Sequence, residues 1–317
     1  MKKFLKILGY VFGGILFVII AIAGWVQLTD LPTFDKGSIT VILPTDSLSL
    51  SVGRKIVEER CVYCHLGDDG KLSGRQFTPN DSPFGVIWSK NITQHNEKGI
   101  GNYTNGELAY LIRTGINRNG RFIGPFMIIP KISDADLAGT IAYLRSNSPL
   151  VQPSEKERPS HQYSFLGKAF FKLGMISPLT YSGKIIETPN SSNSIAYGKY
   201  LSTGRYACFS CHSASFETNN EEYPEKSQGY FGGGNPIEDN VFNITPSANI
   251  TMSKTNGIGN WTKEQFIHAL RTGERPNGKG LSAAMPRLPL PDDTELDAIW
   301  SYLQTVPIIE NHVERLK

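Results

Sequence analysis

The sequence predicts an all-α protein in which two copies of one helical module follow an N-terminal apolar helix. Three observations support this class: a long uncharged segment near the start, a short motif that occurs twice with similar segments after each copy, and little strand-like alternation. We therefore expect an anchor at residues 1–30, a first domain at 46–150, a linker at 151–190 and a second domain at 191–317.

The first element is a segment of twenty almost wholly apolar residues, Ile7 to Val26, without a charge. At a helical rise of ~1.5 Å per residue it spans about 30 Å, the thickness of a bilayer core. Lys2, Lys3 and Lys6 precede it. Because basic residues stay on the cytoplasmic side, the chain after Asp30 is expected on the outer face of the membrane.

A cleaved signal peptide is the alternative interpretation of this segment. Ala21-Ile22-Ala23 has the small residues of a signal-peptidase site. The apolar stretch, however, continues past that site through Trp25 and Val26, where a cleaved signal would turn polar. The sequence therefore favours an uncleaved anchor and leaves cleavage open.

The most informative motif is Cys-x-x-Cys-His, which stands at residues 61–65 and again at 208–212. This spacing is the attachment site of a c-type haem: two thiols form thioethers to the vinyl groups of one porphyrin, and the His becomes the proximal iron ligand. The two motifs contain all four cysteines of the chain. We predict two covalent haems c, attached through Cys61, Cys64, Cys208 and Cys211 and bound at iron by His65 and His212.

Zinc ribbons and thioredoxin-like redox sites also contain Cys-x-x-Cys. A zinc site needs a second ligand pair nearby, and a redox motif has no need of a His after the second Cys in both copies. No cysteine is left over for a disulfide or a thiolate nucleophile. These patterns make haem the favoured interpretation over zinc or thiol chemistry.

Matching segments after each motif indicate that the module is repeated. From Gly99 onward the pairs keep one offset: Gly99–Thr104 with Gly257–Thr262, Arg113–Gly115 with Arg271–Gly273, and Asn119-Gly120 with Asn277-Gly278. We also match Asn91–Thr93 with Asn243–Thr245, at a different offset, and attribute the difference to an insertion in the second copy. That insertion is acidic and then Gly-rich, and we ascribe its glycines to close approach of backbone to porphyrin.

The repeated segments predict helices with defined ends. Thr104 with Glu107, and Thr262 with Gln265, form capping boxes, and Gly115 and Gly273 end the same helices. A later helix begins at Ser133 in the first copy and at Asp292 in the second. A short helix precedes each motif, at residues 52–59 and 195–203, and its glycine (Gly53 or Gly198) would let the first and last helices of the module cross closely.

Met127 and Met285 are the candidate sixth ligands. Both stand at the same repeat offset, shortly before the last helix of their module, and Met285 is followed by Pro286, which favours an extended loop. A core methionine is the alternative. His/Met ligation closes the iron to substrate and raises its reduction potential, so it predicts outer-sphere electron transfer.

The other candidate side chains have weaker support. His95 and His268 have no His partner in the repeat, and we expect His161 and His312 to be solvated. Four arginines are expected either to pair with haem propionates or to be solvated: Arg75, Arg113, Arg205 and Arg271. The net charge of +3, without a basic stripe, argues against nucleic acid as a partner.

These residues together resemble the membrane-associated multi-haem cytochrome c subunits of bacterial alcohol, aldehyde and gluconate dehydrogenases. The similarity rests on both haem motifs, Pro83-Phe84-Gly85, the Asn-Ile-Thr segments, the paired Gly-Ile-Gly-Asn-aromatic-Thr segments, the Arg-Thr-Gly turns and Met285-Pro286. It implies class I cytochrome c domains and periplasmic electron transfer from a dehydrogenase towards quinone or a terminal oxidase. Two features differ: those subunits usually have three haems and a C-terminal anchor.

The sequence thus predicts a membrane-anchored periplasmic di-haem cytochrome c that is itself no enzyme. Its expected partners are a dehydrogenase, a soluble cytochrome or an oxidase. A di-haem peroxidase with one open or reversibly ligated iron is the alternative, although two similar Met-containing modules argue against dissimilar haems. A haem-based sensor ranks last, because only about six residues precede the apolar segment.

Overall fold

The computed structural model describes residues 2–239, 241–286, 288 and 290–314, so the predicted limits at residues 1 and 317 lie outside the described residues. The chain is mostly helical, and that part of the predicted fold class is confirmed. The α-helices, in chain order, are α1 Lys2–Leu28, α2 Ser47–Ile56, α3 Val62–His65, α4 Asn105–Thr114, α5 Asp134–Leu144, α6 Phe165–Lys172, α7 Ser194–Tyr200, α8 Cys208–His212, α9 Lys263–Thr272 and α10 Asp293–Leu303.

Short strands and turns complete the described structure. Strand β1 (Gly85–Val86) pairs antiparallel with β2 (Gln162–Tyr163), and β3 (Pro236–Glu238) with β4 (Ile244–Pro246). The 3₁₀ turns are Pro125–Met127, Pro149–Val151, Phe216–Thr218 and Pro224–Lys226. The strands only pin loops together, because each is two or three residues long.

The predicted helix ends are confirmed in both copies. Thr104 and Thr262 form full capping boxes, and the helices that they begin, α4 and α9, end at glycines with φ of 77° and 80°. Ser133 caps α5, and Asp292 forms a capping box with Glu295 at the start of α10. Each cap satisfies a backbone amide locally, so these boundaries follow from the sequence alone.

The helix before each haem motif differs from the prediction. It begins earlier, at Ser47 and Ser194, behind the side-chain caps Asp46 and Asn193. It then widens into a π-helical turn, Val57–Cys61 in the first copy and Leu201–Arg205 in the second. A π turn adds a residue to the helical repeat, so a period of 3.6 does not predict it.

Close crossing of the first and last helices of each copy is confirmed. A Cβ atom on Gly53 would overlap the carbonyl of Gly139 in α5, and one on Gly198 would overlap the carbonyl of Ala298 in α10. The small residues therefore allow backbone-to-backbone contact where α2 meets α5 and where α7 meets α10.

Two hydrophobic cores form around these crossings. The first is built on α2, α4 and α5, with Ile56, Leu137 and Ile141 at its centre, and the second on α7, α9 and α10, with Leu201, Leu296 and Ile299. A smaller cluster contains Phe122, Ile128 and Phe171, and it joins α6 of the linker to the first core.

Helix α1 is long and apolar enough to cross a membrane, with a mean hydropathy of 2.5 over its most apolar 18-residue window. Its apolar side chains are exposed on all sides, and Val26 is its buried residue. A helix in the interior of a soluble protein would bury most of these side chains.

Candidate haem-binding site

Each haem motif lies beside a cavity of cofactor size. Cys64, His65 and Met127 line a cavity of about 450 Å³, and Cys211, His212 and Met285 line one of about 490 Å³. Pockets for cofactors have volumes of roughly 300–1,000 Å³ and mostly apolar walls. Cys61 instead packs against the first core, and Cys208 lines an adjoining apolar recess of about 70 Å³ that His212 and Met285 also line.

The ring orientation of each motif histidine is fixed by one hydrogen bond. His65 Nδ1 lies 2.7 Å from the carbonyl oxygen of Lys90, and His212 Nδ1 lies 2.7 Å from that of Ala248. A carbonyl only accepts, so Nδ1 carries the proton in both rings and Nε2 presents its lone pair. A metal-binding histidine needs this tautomer.

Each candidate methionine lines the same cavity as its motif histidine. Met127 Sδ is 3.3 Å from His65 Nε2, so the two candidate ligand atoms of the first site are in direct contact beside the cavity that both residues line. Met127 is the last residue of the 3₁₀ turn Pro125–Met127. In the second site Met285 and His212 line the same cavity.

The residue after each of the two carbonyls that orient the histidines is an asparagine, Asn91 or Asn249, whose side chain fixes its loop by the same hydrogen bonds in both copies. Asn91 Oδ1 accepts from the backbone N–H and the hydroxyl of Thr93, at 2.9 and 2.6 Å, and its Nδ2 donates to the carbonyls of Ser154 and Lys156. Asn249 repeats this pattern with Thr251 and with the carbonyls of Ile309 and Asn311.

The match of Asn91–Thr93 to Asn243–Thr245 is therefore wrong. The structural counterpart is Asn249–Thr251, which lies 158 positions after Asn91, as Gly257 lies 158 after Gly99. Asn243 instead closes a turn with Asp239. The constant offset is the signal in the sequence that identifies the correct asparagine.

The Gly-rich stretch of the second copy contacts the motif histidine through Gly233. Gly233 has φ of 69°, and its N–H donates to the carbonyl of His212 at 2.8 Å. A Cβ there would overlap the backbone of Ala248 and Asn249. Gly74 makes the same bond to His65 in the first copy. These glycines thus support the proximal histidine through backbone contacts.

Two arginines have roles that the sequence did not predict. Arg205 is 3 % exposed and forms ion pairs with Asp136 and Glu295, so it is neither solvated nor available as a propionate partner. Arg113 is buried and pairs with Asp134 while donating to the carbonyls of Pro130 and Ile132. Arg271 pairs with Asp293 on the surface, and Arg75 donates to the carbonyl of Tyr63.

Two of the remaining histidines form ion pairs outside the cavities, and the expectation for His161 is corrected. His95 pairs with Glu155, and His268 with Glu274. His161 is not solvated: it lines the first cavity, and its Nδ1 accepts from the backbone N–H of Trp88 at 3.2 Å. Burial lowers the pKa of His161 to about 4, so this ring is neutral at pH 7.

The thiol groups of the motifs are protonated and separate. Burial raises the pKa of Cys61 and Cys208 to about 12 and that of Cys64 and Cys211 to about 11. Among the described residues, no three His, Cys, Asp or Glu side chains come together as a metal cluster. The geometry thus fits thioether attachment of a porphyrin better than a zinc site or a reactive thiolate.

The two sites lie next to each other. A groove of about 530 Å³ is lined by Val62, Tyr63 and Leu66 beside the first motif and by Met285 and Pro286 beside the second site. Tyr63 donates its hydroxyl proton to the carbonyl of Glu238 in β3. Contacts between the two cores therefore hold the two haem motifs at a fixed separation.

Arg60, in the π turn of the first copy, bonds to the π turn of the second copy. Its guanidinium donates to the carbonyl of Gly204 at 3.1 Å, and its positive charge lowers the pKa of Cys61, Cys64, Cys208 and Cys211 against the effect of burial. One arginine is thus close to both motifs.

Glu59 in the shared groove gives a pH-dependent prediction. Its carboxylate is 7 % exposed and accepts from the N–H of Leu290 at 3.4 Å, and burial raises its pKa to about 7. The unfolded-state pKa is 4.5, so below pH 4.5 the carboxyl is protonated in both states and does not affect stability. Between pH 4.5 and 7 the free energy of unfolding falls, because the unfolded chain ionises first. Above pH 7 the loss reaches about 3 kcal/mol.

Glu59→Gln is therefore expected to raise the free energy of unfolding at pH 8 and to have little effect at pH 5. Denaturant titrations of the detergent-solubilised protein at both pH values measure this difference. The exposed Glu222→Gln should change neither value. Equal effects of Glu59→Gln at pH 5 and pH 8 would contradict a raised pKa.

Comparison with curated proteins identifies related chains. The chain is 29 % identical over 261 residues to the cytochrome c subunit of alcohol dehydrogenase (quinone) from Gluconacetobacter polyoxogenes. It is 26 % identical over 260 residues to the fructose dehydrogenase cytochrome subunit of Gluconobacter japonicus, and 25 % over 259 residues to the gluconate 2-dehydrogenase cytochrome c subunit of Pantoea cypripedii. No family model matches the chain.

Each of these matches covers 78 % of this chain and 53 %, 50 % and 56 % of the respective relatives. The chain therefore spans about half the length of the curated relatives that it matches. The relation to cytochrome c subunits of dehydrogenases, which the motifs predicted, is confirmed.

Proposed function

Because the chain is related to cytochrome c subunits of dehydrogenases, we propose that it is a di-haem electron carrier and not itself an enzyme. Two haems c would be attached through Cys61 with Cys64 and through Cys208 with Cys211. The axial pairs would be His65 with Met127 and His212 with Met285. Each haem would supply a one-electron Fe(III)/Fe(II) couple.

The observation that supports this most is the matching environment of the two motif histidines. In both copies the Nδ1–H donates to a backbone carbonyl at 2.7 Å, and in the first copy the opposite nitrogen faces a methionine sulfur. Two alike sites would suit electron transfer, because with both methionines bound to iron neither would hold an open position for substrate. A peroxidase would need one site to differ from the other.

The chain's own residues would keep ligand rearrangement small during electron transfer. Asn91 and Asn249 fix the loops whose carbonyls orient the histidines, and the turn Pro125–Met127 restricts the backbone of one methionine. The groove lined by both Tyr63 and Met285 supports a short path between the two proposed haems, along which electrons would pass within one chain.

The proposed architecture is two tandem class I cytochrome c domains, at residues 46–150 and 191–317, joined by the linker 151–190. The two hydrophobic cores and the repeated side-chain hydrogen bonds of Asn91 and Asn249 support this division. Residues 1–30 would anchor the chain in the inner membrane, with the haem domains in the periplasm. A dehydrogenase would deliver electrons, and a soluble cytochrome, quinone or oxidase would accept them.

Mass spectrometry and near-infrared magnetic circular dichroism of the purified, oxidised protein test this function. We expect a mass increase of two haems per chain and His/Met bands from both irons. One high-spin or bis-His iron beside one His/Met iron would favour the peroxidase alternative. Absence of covalent haem would contradict the proposal altogether.

A further inference from the structure

Helix α6 lies against the end of the N-terminal helix, although more than 130 residues separate the two in sequence. The Nζ of Lys172 donates to the carbonyls of Trp25 and Val26, both at 3.0 Å, and also to the carbonyl of Thr29. Lys168 donates to the carbonyl of Gln27 at 3.4 Å. The carbonyls of residues 25–27 belong to the last turn of α1, where an α-helix leaves such groups without a partner inside the helix, and Thr29 follows its end.

The face of α6 beside these lysines is apolar and exposed. Phe165, Leu166, Ala169 and Leu173 follow the i, i+1, i+4, i+8 spacing of one helical face, and Phe165, Leu166 and Leu173 are exposed. Leu173 is 59 % exposed, and Met175 beyond it is 64 % exposed. The two lysines lie beside this stripe, towards α1.

The inner face of α6 is fixed to the first core. Phe171 packs edge-to-face against Phe122 and Tyr163, with ring centroids 6.1 and 5.0 Å apart. The ring of Phe170 contacts that of Phe84, and Gly167 lies on the Phe84 backbone. The face of α6 that packs on this chain is therefore the inner one, and the apolar stripe lies on the outside.

Trp25 indicates where α6 would lie along the membrane normal. Tryptophan is enriched at the membrane–water interface, and Trp25 lies in the last turn of α1, with the Lys172 ammonium 5.4 Å from its ring centroid. If α1 spans the membrane as proposed above, α6 lies at that interface. A short helix with one apolar face and flanking lysines is suited to lie in the interfacial plane.

We propose that the exposed face of α6 inserts into the outer-leaflet lipid interface beside α1. The lipid surface is continuous with the one that surrounds α1, which is why lipid, and not a partner subunit, is the occupant. Lys172 then joins the spanning helix to the first core and limits how far that core can tilt from the membrane. This inference rests on the proposed membrane anchor.

Nitroxide labels on the full-length protein in nanodiscs of phosphatidylethanolamine and phosphatidylglycerol test it. Single variants Ile15→Cys, Leu173→Cys and Ile308→Cys place one label in α1, one beside α6 and one on the exposed surface of the second core. Collision with oxygen reports lipid, and collision with a water-soluble nickel chelate reports water. An unchanged haem spectrum verifies that each variant is folded.

We expect Ile15 and Leu173 to respond mainly to oxygen and Ile308 mainly to nickel. A nickel response at Leu173 with an oxygen response at Ile15 would overturn the inference and leave the anchor intact. Shielding of Leu173 from both reagents would also overturn it, because a protein partner or second copy would then cover α6. A nickel response at Ile15 would instead contradict the proposed anchor.

Discussion

Arg205→Leu is expected to lower the free energy of unfolding by about 3–5 kcal/mol, because it leaves two buried carboxylates without their common cation. Arg205 Nε and Nη2 donate to the two oxygens of Asp136 at 2.6 and 3.0 Å, and Nη1 donates to Glu295. All three side chains are 3–5 % exposed. Asp136 belongs to the first core, and the other two residues belong to the second.

The ion-pair cluster extends beyond these three residues. Lys55 of α2 donates to Glu295 at 2.8 Å and to Asp292 at 3.1 Å, so cations from both cores meet the N-terminal turn of α10. Tyr200 donates to Asp136. Acidic groups in a first helical turn are favoured by the helix dipole, but burial makes them costly without a partner.

Denaturant unfolding of the detergent-solubilised protein, followed by circular dichroism, measures the effect of Arg205→Leu. Arg271→Leu is the matched control, because Arg271 pairs with Asp293 at 2.8 Å on the surface, where such pairs contribute less than about 1 kcal/mol. Arg205→Lys should lose an intermediate amount, since lysine keeps the charge but not the planar fork.

An Arg205→Leu loss no larger than that of Arg271→Leu would show that the cluster does not stabilise the contact between the cores. Both His/Met near-infrared bands should persist in the folded Arg205→Leu protein, because Arg205 does not touch His65 or His212. Loss of a band would assign Arg205 a direct role at a haem site.

Met127→Ala is expected to abolish about half of the His/Met near-infrared signal while both haems stay attached. The alanine side chain supplies no ligand, so one iron should become open or recruit another group, and its reduction potential should fall. Met285→Ala should have the same effect at the second site. Magnetic circular dichroism and a redox titration of each variant give the ligation and the two potentials.

Met252→Ala provides the control for these variants. Met252 packs against the second core, but the first copy has Gln94 at the corresponding repeat position. Met127 and Met285, in contrast, occupy the same repeat position in the two copies. We expect a modest loss of stability and both His/Met bands intact. If Met127→Ala behaved like Met252→Ala, Met127 would be a core residue and the first iron would have another ligand.

The local features of the chain could be predicted from its sequence because short-range contacts decide them. The capping boxes at Thr104 and Thr262 satisfy amides three residues away, and the Cys-x-x-Cys-His spacing is a chemical requirement of one porphyrin. The crossings at Gly53 and Gly198 also followed from the pattern, since a glycine in the same helix of both copies lets a second backbone approach closely.

The two asparagines that fix the loops beside the motif histidines were only partly predictable. The repeat identifies Asn91, but its partner was predicted at Asn243, because two Asn-Ile-Thr segments lie six residues apart in the second copy. The structure distinguishes them through long-range bonds: Asn249 holds the carbonyl of Ile309, whereas Asn243 bonds to the nearby Asp239.

The sequence by itself determined the helical class, the helix caps, the two haem motifs and the registered methionines, because each depends on residues that are close in the chain or repeated at one offset. Only the tertiary structure decided the π turns, the buried pairing of Arg205 and the contact of α6 with α1. Arg205 meets residues 69 and 90 positions away, and Lys172 meets carbonyls more than 140 positions away. Such contacts form only when packing brings distant segments together, and no local pattern encodes which charges will then be neighbours.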